Sequence, residues 1–186
     1  MKKILKRTLP LLLIGLLMSC GEKLDIYNWT KIRIYSHDSS KVEDIPTEGS
    51  VELDNYAIRL EFTPEAIISV SSSDWVNASS AYQSNDKIVS LEIRSVNTIN
   101  ENIGPDEILN EVFRAGPIGA TSSELRSIED YIEAFGSKSG EVDSEFALYL
   151  TPGLTVIDDF IQLNVLVELQ NGGSLGSKTD KVTLIR

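Results

Sequence analysis

The chain has 186 residues, of which 41% are hydrophobic and 24% are charged, and its formal net charge is −11. This composition is typical of one globular domain that a hydrophobic core can hold together. A single cysteine and a single histidine exclude an intrachain disulfide, a multi-cysteine zinc site and a multi-histidine metal site. We therefore expect neither a metal nor a cofactor.

The negative charge is concentrated after the first 19 residues. Those residues hold four bases and no acid, so the remainder keeps all 28 acids but loses four of the 17 bases. Such an acidic surface repels phosphate backbones, which proteins bind through Lys and Arg. Nucleic acid is therefore not an expected partner.

The first 19 residues have the pattern of a signal peptide. Basic residues precede an apolar stretch from Leu9 to Met18, which is about half of the roughly 20 residues that a membrane-spanning helix needs. The stretch ends in Leu17-Met18-Ser19-Cys20, which resembles the lipobox of bacterial lipoproteins. The resemblance implies cleavage before Cys20 and a diacylglycerol group on its thiol.

Lipidation of Cys20 would make the membrane a partner and place the protein in the cell envelope. Gly21 stands where lipoproteins kept at the inner membrane tend to have Asp, so the resemblance implies the outer membrane. We expect a signal peptide over residues 1–19, a lipidated tether over 20–25 and a single domain over 26–186.

Alternating apolar residues predict the first strands. They are Ile32 and Ile34, then Tyr56, Ile58, Leu60 and Phe62. Thr63-Pro64-Glu65 is expected to end the second strand because proline cannot donate to the ladder, and residues 67–71 form a further short strand. His37 lies in a polar run that predicts a solvated turn, and any Ser-His-Asp triad would have to include it.

A polar segment over residues 71–86 contains two aromatic residues, Trp75 and Tyr82. Aromatic rings beside Asp and Asn side chains can stack on sugars and hydrogen-bond to them. Trp75, Tyr82, Asp74 and Asn77 are therefore candidate glycan-binding residues. The alternative is that Trp75 packs in the core or at the edge of the sandwich.

The middle of the chain predicts a strand and then two helices. Val89, Leu91 and Ile93 alternate with polar residues. Apolar residues at helical spacing follow Pro105 over 106–114, and a capping box over 121–124 precedes a second apolar stripe that ends at Phe135. We expect a two-helix insertion at about 105–136.

Two groups of oxygen-bearing side chains are weak candidates for chemistry. Helix capping and solvation account for the first better than calcium binding, because its spacing is not that of an EF-hand. The second could supply the paired carboxylates of a glycoside hydrolase, although nothing in the sequence brings them together. The first group is Asn97, Asn100, Glu101, Asn102, Asp106 and Glu107. The second group is Asp143, Glu145, Asp158 and Asp159.

The last third of the chain returns to the strand period. Alternating residues run over 146–150 and 161–169, and Asn171-Gly172-Gly173 predicts a hairpin before a closing strand at Val182 and Leu184. This ending resembles the last hairpin of immunoglobulin-like or fibronectin-type sandwiches, and the layout resembles small secreted lipoproteins that carry them. The resemblance implies a mainly β, immunoglobulin-like β-sandwich of about seven strands with the two-helix insertion.

These features favour a non-enzymatic binding or accessory module tethered to the cell envelope, with an envelope protein or a glycan as its partner. The alternatives are a carboxylate-dependent glycoside hydrolase and a purely structural envelope protein.

Overall fold

The computed structural model describes residues 23–70, 80–84, 87–135 and 144–185. The protein is mainly β, with 51% strand and 10% helix in several sheets, an architecture compatible with the predicted sandwich. The described residues contain more strands than the about seven that were predicted, so neither that count nor the immunoglobulin-like connectivity is confirmed.

The regular elements follow one another in chain order. The helical elements of the described residues are α1 (Ile128–Ala134) and two 3-10 turns, Leu53–Asn55 and Asn110–Val112. The strands are β1 (Lys23–Asp38), β2 (Glu43–Asp44), β3 (Ser50–Glu52), β4 (Tyr56–Val70), β5 (Ser80–Ser84), β6 (Ile88–Ser95), β7 (Phe113–Gly116), β8 (Glu145–Leu150), β9 (Phe160–Ile161), β10 (Leu163–Leu169), β11 (Ser174–Lys178) and β12 (Val182–Ile185).

The strands form three sheets around one core. The largest has the order β2-β1-β4-β8-β7, with β5 also paired to β1, and the other two have the orders β11-β10-β6 and β3-β12-β9. Apolar residues of all three sheets pack into one buried cluster, which includes Leu60, Val165 and Leu184. β6 lies at the edge of its sheet, and α1 packs beside it.

β1 and β4 pair beyond the strand end that was predicted at Pro64. The register shifts between Trp29 and Lys31, opposite Pro64 and Thr63. Proline is tolerated at such a bulge because the ladder there lacks a regular hydrogen bond. The prediction that Thr63-Pro64-Glu65 ends the strand, with a separate strand at 67–71, was therefore wrong.

A second bulge changes the predicted face of β6. Ser90 pairs with Glu168, and Ile88 pairs with the next residue of β10, Leu169. Val89 is therefore an extra residue of β6 that has no partner on β10. Ile88 is buried, whereas Val89 is 55% exposed. The prediction that Val89 shares the buried face of Leu91 and Ile93 was wrong for this reason.

The first predicted helix of the insertion is absent from the described residues. Asp106 has a φ of 65°, in the left-handed region, which is incompatible with the first turn of an α-helix. The following residues run beside β6 instead, where the N–H of Leu109 donates to the carbonyl of Ile93 at 2.8 Å. Over 106–114 the helical pattern therefore yields only the 3-10 turn and the start of β7.

The second predicted helix is present but starts later. The Thr121 N–H donates to Glu124 Oε2 at 2.8 Å, as in a capping box, but this closes a turn. α1 begins at Ile128, and its N-cap is Ser127, whose hydroxyl accepts from the Asp130 N–H at 3.1 Å. The apolar stripe of this helix is buried, as expected.

The N-terminal end of the described chain bears on the tether. β1 begins at Lys23, so residues 23–25 of the expected tether belong to a strand that pairs with β4 and β5. The part of the chain that the structure describes contains no helix with the length and apolar composition needed to cross a membrane.

Candidate functional site

Most of the predicted site residues lie outside the described part of the chain. This applies to Cys20, Asp74, Trp75 and Asn77, so their roles stay predictions. For Tyr82 only the backbone is described, on β5, where it pairs in parallel with Asp25 of β1.

The amides of the 97–107 loop hold the loop itself in place. Asn97 Nδ2 donates to Asp158 Oδ2 at 3.2 Å, and Asn100 Oδ1 accepts from the N–H groups of Asn102 and Ile103 at 2.9 and 3.0 Å. The predicted helix-capping role was wrong, because no α-helix directly follows this loop in the described residues and Asn100 closes a turn instead. The predicted solvation is confirmed for the exposed residues Glu101, Asn102, Asp106 and Glu107. Within the described ranges, no group of three or more His, Cys, Asp or Glu side chains could hold a metal ion.

His37 is buried, so the prediction of a solvated turn was wrong. β1 continues through Asp38 and pairs His37 with Ala57, and His37 is only 2% exposed. Its Nδ1 lies 3.0 Å from Asp44 Oδ1, whereas its Nε2 is buried with no hydrogen-bond partner among the described residues. Without a hydroxyl at Nε2, the pair is not a Ser-His-Asp triad.

Arg59 links two carboxylates beside His37. Its Nε and Nη2 donate to Asp44 at 3.0 and 2.6 Å, and its Nη1 donates to Glu145 at 2.9 Å. Burial raises the pKa of Asp44, but hydrogen bonds from Arg59 and His37 outweigh it, and the pKa is lower than usual. A glycosidase general acid needs a raised pKa, and the lowered pKa of Asp44 does not suit it to that role. The hydrogen bonds of Arg59 instead join β2, β4 and β8.

The lowered pKa values near His37 predict how stability depends on pH. Burial also raises the pKa of Asp38, and hydrogen bonds from Ser40 and Lys41 more than offset it, so that this pKa is lowered too. Carboxylates with lowered folded-state pKa values stabilise the protein above the ordinary pKa of about 3.9. This contribution disappears as the pH falls through the folded-state values.

We therefore expect the free energy of unfolding, measured in urea, to fall as the pH is lowered from about 5 to 2. Asp44→Asn should make this decline shallower, and Asp54→Asn, at an exposed carboxylate of the first 3-10 turn, is the control. An equally steep decline in Asp44→Asn and the natural protein would contradict the role of Asp44.

A groove with a volume of about 600 Å³ lies between β6 and α1, and we call it the β6–α1 groove. Six consecutive residues, 87–92, line it. Side chains of a strand alternate between two faces, so a wall of consecutive residues means that the groove opens onto the edge of β6.

Apolar side chains form much of the wall of this groove. Ile128 and Ile132 of α1 are buried beneath it. Val89 and Ile108 line the groove as well and are 55% and 53% exposed. A concave, mostly apolar surface with a few polar groups is typical of a binding site.

Asn110 caps one half of the open strand edge. Its Nδ2 donates to the carbonyl of Leu91 at 2.6 Å, and its Oδ1 accepts from the N–H of Ile93 at 2.9 Å. These are bonds that a neighbouring strand would otherwise make. From Leu91 back to Ile88, the described residues place no strand on this edge.

The charge of the β6–α1 groove is negative. Glu129 and Glu133 of α1 line it one helical turn apart, and neither makes an ion pair within the described ranges. Glu92 is different because Arg94 donates to it at 2.6 Å. Lys87 is the basic residue of the lining.

Sequence reasoning missed this site. Its parts belong to four separate segments, of which three were assigned to a strand and two helices, while the fourth, at Gln170, adjoins the predicted hairpin. The spacing of Glu129 and Glu133 beside buried Ile128 and Ile132 was a readable signal of an acidic helix face, but nothing in the sequence placed that face beside β6.

The comparisons with known proteins do not identify a family. No family model and no curated protein matches the chain. Among solved structures, the chain is similar to the C-terminal domain of the Streptococcus pyogenes antigen I/II-family protein AspA, with 13% sequence identity and a TM-score of 0.29. The match covers 84% of this chain and 47% of the AspA chain, so this chain spans about half the length of the protein it matches.

Proposed function

We propose that the protein is a lipid-anchored binding module of the cell envelope that holds a partner in the β6–α1 groove and catalyses no reaction. The observation that carries this proposal is the groove itself, where a strand edge, exposed Val89 and Ile108, and two glutamates of α1 meet. Among the described residues, no strand covers this edge and neither glutamate makes an ion pair. These groups suit a protein partner, because a strand edge offers backbone hydrogen bonds to another chain.

The anchor is supported by the lipobox-like residues 17–20 and the basic and apolar leader before them. Each acyl methylene that enters the membrane contributes about 0.8 kcal/mol, so two or three chains on Cys20 would hold the protein there stably. Gly21 supports the outer membrane as its location. The acidic remainder of the chain would then face water, where it can meet a partner.

The finer fold assignment is also part of the proposal. The turn at Asn171–Gly173 between β10 and β11, and the single core shared by several sheets, support an immunoglobulin-like β-sandwich. A glycan site at Asp74, Trp75, Asn77 and Tyr82 stays a separate prediction.

Photo-crosslinking tests the groove directly. Benzoylphenylalanine at Ile108 should crosslink the lipidated protein to an envelope protein, because this side chain is 53% exposed on the groove. The same group at Ile185, which is 49% exposed on β12, is the matched control. Mass spectrometry of the adducts should find one recurrent partner at Ile108 only, and equal yields at both positions would overturn the proposal.

A further inference from the structure

We infer that the open edge of β6 accepts an extended peptide segment bearing Lys or Arg, which adds a strand beside residues 88–91. This inference rests on the proposed function, because it specifies what the β6–α1 groove binds. Three features of the groove carry it: the backbone of the edge, the apolar wall and the charge of α1.

The backbone of β6 already bonds outward at every second residue. The carbonyl of Leu91 and the N–H of Ile93 bond to the Asn110 side chain, and the N–H of Ser95 donates to the carbonyl of Glu107 at 3.2 Å. The segment over 106–110 therefore acts as a short substitute strand along half of the edge. Along the other half, which faces the groove, none of the described strands pairs with β6. A partner strand of about four residues, roughly 13 Å long, would span it.

The walls of the groove define the side chains of this strand. Val89 and Ile108 offer apolar contact to one face of an added strand, because both are more than half exposed. Glu129 and Glu133 offer carboxylates on the α1 side that make no ion pair with any residue the structure describes. A segment that alternates aliphatic and basic residues satisfies both surfaces at once, since successive side chains of a strand point to opposite faces.

A second copy of the chain fits this edge less well. Antiparallel pairing of two β6 edges would bring two acidic α1 helices into one interface, on a chain whose net charge is −11. Like charges at an interface oppose association. The charge balance therefore favours a basic segment from another protein.

The test uses the full lipidated protein in phosphatidylcholine nanodiscs, with empty nanodiscs as the blank. The probe is a fluorescent hexapeptide of alternating Lys and Val, and its binding is followed by anisotropy. N-methylation of the amides along one peptide edge should weaken binding about tenfold, whereas N-methylation along the other edge should leave it within about twofold, because only one edge faces β6. Equal effects of the two modifications would overturn the inference.

Substitutions in the protein test the charge contribution. Glu129→Gln combined with Glu133→Gln should weaken binding about fivefold at low salt, and the loss should shrink in 1 M salt, where exposed charges are screened. Glu65→Gln combined with Glu101→Gln removes the same charge from exposed positions outside the groove and is the control. Equal losses in the two double variants would contradict a specific role of α1.

Hydrogen exchange at the Leu91 amide identifies other occupants, because the backbone of Leu91 points away from β10, towards Asn110 and the groove. Binding of the probe should slow exchange at this amide. Slow exchange before any probe is added would mean that another segment of this chain covers the edge, and protection that grows with protein concentration would mean a second copy; either result overturns the inference. Failure of the probe together with a specific crosslink at Ile108 would leave the proposed function standing and remove only this inference.

Discussion

Cys20→Ala is expected to move the protein from the membrane fraction to the soluble fraction and to abolish its labelling by an alkyne analogue of palmitate. The substitution removes the thiol that would carry the diacylglycerol group. The remaining chain is acidic and has no attraction to anionic lipid headgroups. Fractionation of cells with and without the substitution measures the effect.

Ser19→Ala is the matched control for this experiment. It keeps a small residue before the cysteine, so lipidation and membrane retention should both persist. Undiminished membrane retention of Cys20→Ala would show that the acyl chains do not hold the protein at the membrane.

Phe146→Ala is expected to lower the free energy of unfolding by about 3–5 kcal/mol. Phe146 is fully buried on β8, and its ring centroid lies 4.8 Å from that of Phe135, 5.1 Å from that of Tyr131 and 5.8 Å from that of Phe62. Truncation leaves a cavity and removes these ring contacts. Because Phe135 and Tyr131 belong to the α1 segment, the same change should loosen one wall of the β6–α1 groove.

Urea denaturation measures this loss of stability. A loss of about 3–5 kcal/mol is large against a typical total of about 5–15 kcal/mol, so Phe146→Leu provides a milder variant with an expected loss of about 1–2 kcal/mol. Leu166→Ala, at a side chain of β10 that is 38% exposed, is the control and should cost less than about 1 kcal/mol. Similar losses in the Phe146 and Leu166 variants would contradict the central place of the aromatic cluster.

The strands with one buried face were predictable from the sequence. On β10, Leu163, Val165, Val167 and Leu169 are all buried, as their alternation predicted. On β4 the same rule holds from Ile58 to Phe62, whereas Ala57 is buried on the opposite face with Ala147 and Tyr149. Alternation works there because a two-residue period places one set of side chains in the core and the other outside it.

The errors arose where two segments determine the structure jointly. The bulges at Pro64 and Val89 depend on the register of a partner strand, which the sequence of one strand does not contain. The burial of His37 depends on pairing with β4 and on Asp44 across a turn. The failure of the first helix follows from the left-handed backbone at Asp106 and from hydrogen bonds to β6.

The candidate site was unpredictable for the same reason. Asn110 had been placed inside a helix, whereas its side chain caps the edge of β6. Glu129 and Glu133 were readable as one face of a helix, but the β6–α1 groove exists only because α1 packs beside that edge.

The proposed lipid anchor would determine where the groove can act, and mass spectrometry of the native protein tests this anchor most directly. The account predicts an N-terminal peptide that begins at Cys20 and carries a thioether-linked diacylglycerol, with residues 1–19 removed. A free thiol at Cys20 in a chain that still carries its first 19 residues would contradict it.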